Sequence, residues 1–590
     1  MSPAVEERAA SRAARVLWLG LLILALARAA LAFVPSMWGW GLDLLRFLPA
    51  VGWALWAAAG LALVPALARP LAPGLARAGD ALAEARGVAV VPLAVAAAAL
   101  VWWLADQTHF VGDFMLRLGA ASGGIPPARA FPQAFPLDLL LHFHLPVALH
   151  AAAAIDVGVV ERLLGAAEAG ALALLAVAYA RALDLRGAPA AAAVAVALCG
   201  GYLGMFTGYS KAFGEVLLVT AAVAVLGVSL ARRGRGHLAL GAVLAVGLTI
   251  HRSVALLLFP AATAWWVWGR ALSRPADWRR PAVVAGLALP LVTLAAMTPR
   301  IAAALRQVDR AHLLPAGGGA GGALAAALAP LHLLDLANVV AALSPLALAA
   351  LPLGAWVAPG LRGRPEAPVM AALAAPCVAI LLLVHPRQGV FRDWDVFTAA
   401  GLTLSLVAAW LVGESLRAAP RWRWLAAAVA LGAAAPTVQW LLLQHDVDRG
   451  MARVTAHVDG PPARPAESRA LAWAYLGIRS LALARPDAAA EAMGRAAELA
   501  PSPRLLLEWG ITEAERGNDR GAREAYQRSI AKDSTIADAW IGLAVASYRL
   551  GELAEARRAA ERGLRLRPGD SEARSVLAAL AARERTHGTP

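Results

Sequence analysis

Cysteine is nearly absent from this chain, which has only Cys199 and Cys377 among its 590 residues. The two show no CxxC spacing, so the sequence predicts neither a disulfide framework nor a zinc ribbon. Both lie in apolar runs and are expected to pack there. Charged residues are also scarce, at 16% of the chain. The surface of a soluble protein needs more charge than this, which excludes a wholly soluble protein.

Apolar residues dominate instead, at 60% of the chain with a mean hydropathy of +0.61. A helix needs roughly 20 apolar residues to cross a hydrocarbon core about 30 Å thick. By this criterion we predict an all-α fold, in which a polytopic membrane domain over residues 1–443 has about thirteen spans. The predicted spans are 16–34, 49–68, 88–104, 163–181, 188–206, 213–230, 237–250, 254–269, 281–298, 333–357, 367–384, 396–413 and 424–443.

The arginines indicate an orientation, because cytoplasmic loops retain positive charge. They cluster before the first span and in alternate later loops, at 8–15, 69–86, 181–186, 232–235, 270–280, 362–364 and 417–423. We therefore predict an integral protein of a bacterial cytoplasmic membrane, with its N-terminus in the cytoplasm. The net charge of +14 is then a topology signal, and no nucleic-acid partner is expected.

Segment 137–155 is apolar enough to span but carries His142, His144, His150 and Pro146. Unpaired polar groups are costly in lipid, so we predict an interfacial or re-entrant helix on the outer face. The three histidines are also candidate metal ligands. Their spacing does not place all three on one helical face, so we do not favour that alternative.

The chain changes character after the last span, where charge rises and 444–468 is predicted to be a linker. Residues 469–590 repeat with a period of 33 to 34 residues. Small residues recur where paired helices would cross: Gly477, Ala489, Ala496; Gly510, Ala522, Ser529; Ala544, Ala556, Gly563. This pattern resembles tetratricopeptide repeats, and it predicts three repeats and a capping helix from about residue 570.

An odd number of spans places these repeats outside the cytoplasm, in the periplasm. They are expected either to bind a protein or peptide partner or to cap the membrane domain. No residue of the repeats identifies a ligand.

Polar side chains also gather after the third predicted span, in WWLADQTHFVGDFMLR. Asp106 leaves the membrane at headgroup depth, and His109 and Asp113 follow it. Partial desolvation raises the proton affinity of a carboxylate, which suits it to accept a proton from a hydroxyl group. We therefore predict catalytic roles for these three residues, with a helix cap or a solvated interfacial charge as the alternative for Asp106.

Three later outer segments are predicted to bind substrate. The first, GYSKAFGE, contains Tyr209, Lys211 and Glu215; Lys211 can neutralise a lipid phosphate or pair with Glu215. The second is the pair His251 and Arg252, which a charged turn explains equally well. The third, HPRQGVFRDWDVF, contributes Arg387, Arg392, Asp393, Trp394 and Asp395. Its arginines can bind a phosphate and its indole can support a sugar, or its charges can pair with one another.

The segment D-Q-T-H-F at 106–110 resembles the D-E-x-H-F segment of protein O-mannosyltransferases, within the type C glycosyltransferases. LHFHLP at 141–146 loosely resembles that family's His-Pro segment. The resemblance implies a polyprenyl-phosphate sugar donor and a catalytic carboxylate at Asp106, followed by the matching pair His109 and Phe110. Gln107 departs from the family's glutamate, which leaves the acceptor type open.

The sequence therefore predicts transfer of a sugar from a polyprenyl-phosphate donor to an acceptor hydroxyl on the non-cytoplasmic face. The departing phosphate would be stabilised by Lys211, Arg387 and Arg392 or by a divalent cation, Mg or Mn. The alternative is a non-enzymatic anchor that presents the repeats as a scaffold for envelope proteins, and membrane lipids are partners in either case. Transport is disfavoured because charge is scarce within the spans, where Arg28 is the main exception.

Overall fold

The computed structural model describes residues 3–48, 50–84, 90–111, 113–126, 131–271, 275–309 and 322–587. These residues form helices, turns and loops, and no β-strand occurs among them. The chain divides into two compact units, Met1–Gly450 and Met451–Pro590.

The first α-helices of the described chain lie between residues 3 and 153. They are α1 Pro3–Ala32, α2 Ala50–Leu61, α3 Pro65–Ala68, α4 Ala72–Glu84, α5 Val91–Trp103, α6 Asp113–Ser122, α7 Pro136–Leu139 and α8 Leu145–Ala153. The remaining helices that start in the first unit are α9 Val157–Ala182, α10 Gly187–Leu198, α11 Phe213–Arg233, α12 His237–Ile250, α13 Leu258–Arg270, α14 Pro281–Ala304, α15 Gly322–Ala327, α16 Pro330–Leu343, α17 Ala347–Ala350, α18 Gly354–Leu361, α19 Glu366–Leu383, α20 Thr398–Ala418, α21 Leu425–His445 and α22 Val447–Asp459.

Short turns of other helix types connect these elements. The 3₁₀ turns are Asp43–Arg46, Arg69–Leu71, Gly201–Phe206, Arg252–Leu257, Pro275–Arg279, Leu351–Leu353, Trp394–Phe397 and Pro420–Trp422, and π-helical turns occur at Leu140–His144 and Leu305–Asp309. Several of the 3₁₀ turns lie beside the candidate functional residues discussed below.

Seven helices of the described chain are long and apolar enough to cross a membrane. The number rises to nine if two bent pairs each count as one span, Ala50–Leu61 with Pro65–Glu84 and Pro330–Leu343 with Ala347–Leu353. Each of the thirteen sequence-predicted spans overlaps a helix, but α5, α10 and α12 are shorter apolar helices, and α13 has only 13 residues. The described residues thus form a helical unit with seven to nine candidate membrane spans.

Close helix packing depends on small residues in this alanine-rich unit. Helix α12 crosses α14 where Gly241 meets Gly286, and a Cβ on Gly241 would lie 2.0 Å from the carbonyl oxygen of Gly286. Elsewhere α5 packs on α9, α9 on α11, and α10 on α20. Among the candidate spans α20 is the most deeply buried, α11 and α21 follow it equally, and α21 carries one wall of the candidate site.

Two segments predicted from sequence differ in detail. Segment 137–155 forms α7, a π-helical turn and α8, and it is not among the candidate membrane spans. The predicted linker 444–468 contains α22, and the division between the units falls inside that helix. The residues of α22 alternate apolar and polar groups at helical spacing, which favours helix over an extended linker.

The second unit consists of three helix pairs and a final helix. These are α23 Ala466–Ala482 with α24 Pro486–Leu499, α25 Pro503–Glu515 with α26 Asp519–Lys532, α27 Ala537–Arg549 with α28 Leu553–Leu566, and α29 Ser571–His587. Small residues let the helices approach. The ring of Tyr526 packs where a Cβ on Gly510 or Gly542 would lie 2.5 or 2.4 Å from its atoms. The 33–34-residue period in the sequence thus corresponds to one helix pair.

Candidate functional site

The first loop after α5 is anchored to the end of α21. The backbone N–H groups of Gln107 and Thr108 both donate to the carbonyl oxygen of Gln444 at 3.0 Å, and the Thr108 hydroxyl donates to it at 2.9 Å. His445 Nδ1 lies 2.8 Å from the carbonyl oxygen of Ala105. A loop held by this many hydrogen bonds keeps its side chains in fixed positions.

Asp106 lies within this anchored loop and is only 5% exposed. Its Oδ1 accepts the backbone N–H of His109 at 2.8 Å, and His109 adopts a left-handed conformation with φ 53°. This hydrogen bond closes the turn and stabilises the carboxylate. Asp113 begins α6, but its side chain lies outside the described part of the structure.

Phe110, the last residue of the motif, connects the first loop to the segment before α20. Its ring centroid lies 5.5 Å from that of Phe391, and the Arg392 guanidinium carbon lies 5.6 Å from the Phe110 ring. Arg392 is therefore held close to the Asp106 loop, although some 280 positions separate them in sequence. Asp393 is half-buried in the same turn, where its N–H donates to the carbonyl oxygen of Gly389, and Arg387 is exposed.

The segment GYSKAFGE meets the same region through Tyr209. Its hydroxyl donates to Oδ2 of Asp395 at 2.6 Å, and both residues are buried. Lys211 places its ammonium nitrogen 4.9 Å from the ring centroid of Phe213, which also contacts the His251 ring at 5.3 Å. Through these contacts, all four sequence-predicted clusters belong to one connected set.

His251 and Arg252 lie at one end of this connected set and contact each other. Arg252 donates from Nη1 to Nε2 of His251 at 3.1 Å and forms an ion pair with Asp309. Burial lowers the pKa of His251 well below its usual value, and the positive charges of Arg252, Lys211 and Arg117 lower it further. A neutral imidazole is the form that accepts a hydrogen bond from arginine, so the geometry and the charge agree.

The environment of Trp394 differs from the one expected for a sugar-binding side chain. The indole is 1% exposed and packs edge-on against Trp440 at 5.3 Å. A Cβ on Gly204 would lie 2.9 Å from the indole, so the turn Gly201–Phe206 covers it as well. This side chain is a packing residue in the structure and is not open to a sugar.

Glu215 also differs from the expected pairing, because its Oε1 lies 2.9 Å from Nε2 of His142. Nδ1 of the same ring lies 2.9 Å from Oε2 of Glu161, so one buried histidine bridges two buried carboxylates. Burial alone lowers the pKa of His142, but the charge of Glu215 and the hydrogen bonds to both glutamates raise it well above its usual value.

Sequence reasoning missed this network. Its other members are Glu168, which interacts with Glu215, and the buried bidentate pair of Arg117 with Asp138, at 2.6 and 2.9 Å. A signal was available in α9, where Glu161 and Glu168 are the two acids and lie two turns apart on one face of a mostly apolar helix.

No group of three or more His, Cys, Asp or Glu side chains able to hold a metal ion occurs among the described residues. Both ring nitrogens of His142 contact carboxylates, and Nδ1 of His150 contacts the carbonyl oxygen of Ile155 at 2.9 Å. The three histidines of segment 137–155 therefore do not converge as ligands. The described residues do not fit a predicted Mg or Mn site.

Comparison with known proteins identifies the second unit only. Residues 514–580 match the family model described as tetratricopeptide repeat. This unit carries tetratricopeptide repeats. Among curated proteins, none matches the chain significantly.

Several solved structures are similar to parts of the chain, and some of them are tetratricopeptide-repeat domains. The first repeat domain of Spaghetti (RPAP3), bound to the HSP90 peptide SRMEEVD, is 21% identical over 19% of this chain and 94% of its own, with a TM-score of 0.19. The MamA protein is 21% identical over 22% of this chain and 70% of its own, with a TM-score of 0.21. The APC/C hetero-tetramer Cut9-Hcn1 is 14% identical over 76% of this chain and 90% of its own, with a TM-score of 0.20.

Proposed function

We propose that the first unit transfers a sugar from a polyprenyl-phosphate donor to an acceptor hydroxyl on the non-cytoplasmic face of a bacterial cytoplasmic membrane. In this proposal the thirteen predicted spans cross with the N-terminus inside, and the repeats lie outside. The phosphate of such a donor lies at the membrane surface, and the prenyl tail of the donor needs an apolar groove. A site at the interface is therefore at the same depth as the sugar and the phosphate that react.

The convergence of distant outer segments is the observation that carries the proposal. Phe110, beside the proposed base, contacts Phe391 and Arg392. Tyr209 is hydrogen-bonded to Asp395 from the same turn. These contacts join segments far apart in sequence beside the loop of the buried Asp106, which supports a shared site at this end of the unit.

The chemistry assigned to this site is an inverting displacement. Asp106 takes the proton of the acceptor hydroxyl while the hydroxyl oxygen forms a bond to the anomeric carbon of the sugar. The bond between that carbon and the phosphate oxygen breaks, and its electron pair leaves with the phosphate. Lys211, Arg392 and the exposed Arg387 are the cations assigned to the leaving phosphate. No step is assigned to a divalent cation.

Substitution of Asp106 tests this proposal. Purified protein is incubated with polyprenyl-phosphate hexoses, and the wild type is compared with Asp106→Asn, which preserves size and removes the base. We expect a loss of at least about 100-fold in turnover, the usual contribution of a general base. Asp156→Asn is the matched control, because Asp156 is an exposed N-cap whose role asparagine can fill. Equal turnover by wild type and Asp106→Asn contradicts the assignment.

A second candidate function is a membrane-anchored repeat scaffold for envelope proteins, and the repeat match over 514–580 favours it. Repeats of this type commonly form extended binding surfaces for peptides or proteins. Absence of turnover with every donor, together with in-cell crosslinking of an envelope protein to the second unit, would favour the scaffold over the transferase. Turnover that depends on Asp106 would favour the transferase.

A further inference from the structure

Arg28 is a buried guanidinium inside the first membrane-spanning helix. It lies on α1, one turn before the helix ends, and is 5% exposed. Its terminal nitrogens Nη1 and Nη2 are both buried, and neither has a hydrogen-bond partner among the described residues. A guanidinium carries five N–H donors and stays protonated in proteins, so its charge remains when it is buried.

A small cavity adjoins this side chain. It has a volume of about 40 Å³, and Arg28 is the one charged residue on its walls. The remaining walls are mostly apolar and are contributed by α1, α2, α21 and the turn before α17, including Leu21, Trp56, Leu346, Ala435 and Pro436. A buried water needs roughly 10–15 Å³ of such volume, so the cavity has room for about three waters or one compact polar group.

The other side chains of the cavity walls that carry hydrogen-bonding groups are engaged elsewhere. Trp56 Nε1 donates to the carbonyl oxygen of Ala25 at 2.8 Å, and Gln439 Nε2 donates to that of Gly52 at 2.8 Å. The cavity walls contain no Asp or Glu. The protein therefore supplies a cation in an apolar chamber and supplies no anion for it.

The position of Arg28 along α1 indicates its depth. Ala10 and Ala14 pack against Ala419 near one end of the spans. Arg28 follows Ala10 by eighteen positions, about 27 Å along a helix. On α21, Gln439 precedes Gln444 by five positions, about 7.5 Å, and Gln444 anchors the Asp106 loop. Arg28 thus lies inside the membrane-spanning layer, toward the end of the unit that carries the Asp106 loop.

An unpaired charge in such a place is costly, so an anion that binds there is strongly favoured. The planar guanidinium matches phosphate oxygens in a bidentate contact, and a single phosphate is the kind of compact polar group for which the cavity has room. Inside the membrane-spanning layer, the source of a phosphate is a lipid headgroup. We propose that Arg28 binds the phosphate of an anionic lipid in this cavity, while the chain of the lipid stays outside the cavity in the membrane.

Two lipids share this chemistry, a membrane phospholipid and a polyprenyl phosphate. The inference does not depend on the proposed transfer reaction, because it concerns binding of the lipid and not sugar transfer. If polyprenyl phosphate is the preferred ligand, Arg28 adds a second phosphate contact deeper than Lys211 and Arg392. If the phospholipid binds equally, the site is one for structural lipid.

The test uses delipidated, full-length protein in detergent. Thermal-shift titration and native mass spectrometry are done with polyprenyl phosphate, phosphatidylglycerol and the uncharged polyprenol. Wild type is compared with Arg28→Leu, with Arg28→Gln as a second variant. Arg46→Gln is the control, since Arg46 is another arginine of the N-terminal region and donates to the carbonyl oxygen of Ser36 at 3.3 Å.

We expect the wild type and Arg46→Gln to bind at least one lipid phosphate, and both Arg28 variants to bind it at least about tenfold more weakly. We also expect lipid-free Arg28→Leu to be as stable as the wild type or more so, because it removes an unpaired buried charge. Equal binding by wild type and Arg28→Leu overturns the proposal, as does equal binding of polyprenol and polyprenyl phosphate. Asp106→Asn is expected to bind normally, which separates failure of this proposal from failure of the transferase.

Discussion

The hydroxyl of Tyr209 donates a 2.6 Å hydrogen bond to the buried carboxylate of Asp395, across 186 positions of sequence. This bond joins the segment before α11 to the turn before α20. Asp395 also accepts, through its carbonyl oxygen, the hydroxyl of Thr398 at the start of α20. The contact therefore fixes one side of the candidate site to a long, buried membrane helix.

Removal of that hydroxyl should destabilise the first unit. Tyr209→Phe leaves a buried carboxylate without one of its donors, which costs about 1–3 kcal/mol. We expect a lower midpoint of thermal unfolding in detergent. A double-mutant cycle with Asp395→Asn provides the check, because the two changes should be less than additive if they remove the same interaction. Fully additive effects would mean that the hydrogen bond contributes nothing to stability.

The bridge between Glu161, His142 and Glu215 predicts a dependence of stability on pH. In the unfolded chain the imidazole titrates near pH 6.5, whereas in the folded protein the pKa of His142 is raised well above that value. Its stabilising contribution is therefore fully present below about pH 6.5 and is lost as pH rises through the folded pKa. We expect the unfolding temperature of the wild type to fall at alkaline pH.

Variants of His142 provide the control for this pH dependence. His142→Gln removes the cation and leaves two buried carboxylates facing it, a change that typically costs about 3–5 kcal/mol. The alkaline fall in unfolding temperature should be smaller in this variant. His144→Gln, at an exposed neighbouring position, should keep the wild-type profile. An identical pH profile in wild type and His142→Gln would remove His142 as the titrating group.

The sequence predicts a feature of this fold when the interactions that form it lie between residues close together in the chain. The helical period predicts the repeats, because each helix pair contacts mainly the next pair. Apolar runs predict the membrane helices, but run length does not detect the bends of 91° and 102° that divide two of them. The alternation of arginine-rich loops predicts one face for Asp106 and Arg392, and Arg392 lies beside Phe110 of the Asp106 loop.

The partners of buried charges could not be predicted in this way. Glu215 has Lys211 four positions before it, and a local rule pairs them. The structure pairs Glu215 with His142, 73 positions away, because the packing of α11 on α9 brings that ring between two carboxylates. Burial of Trp394 beneath Trp440 likewise depends on the fold of α21, which no local pattern around Trp394 encodes.

The crossing of α12 and α14 gives a prediction with an internal control. Gly241→Ala places a Cβ about where the Gly286 carbonyl oxygen lies, at 2.0 Å, so the helices must separate. Overpacking of this kind typically costs about 1–3 kcal/mol. Gly60→Ala, also within an apolar helix but with no atom within 4 Å of its new Cβ, should be neutral or stabilising. Equal unfolding temperatures for the two variants would contradict the close packing.

The proposed orientation predicts which loops are reached from outside the cell membrane. Cys199 and Cys377 are largely buried, so single cysteines can be introduced into the natural chain with little background labelling. Ile125→Cys in the first loop and Ser534→Cys in the repeats, both exposed, should react with a membrane-impermeant maleimide in intact spheroplasts.

Arg235→Cys tests the predicted cytoplasmic side of the membrane in the same experiment. This exposed residue follows α11 in an arginine-rich turn and should react only after the membrane is permeabilised. If Ile125→Cys is labelled from outside but Ser534→Cys is not, the repeats lie in the cytoplasm and the odd span count is wrong. If Ile125→Cys is protected while Arg235→Cys is labelled, the Asp106 loop faces the cytoplasm, where the proposed periplasmic acceptor is absent.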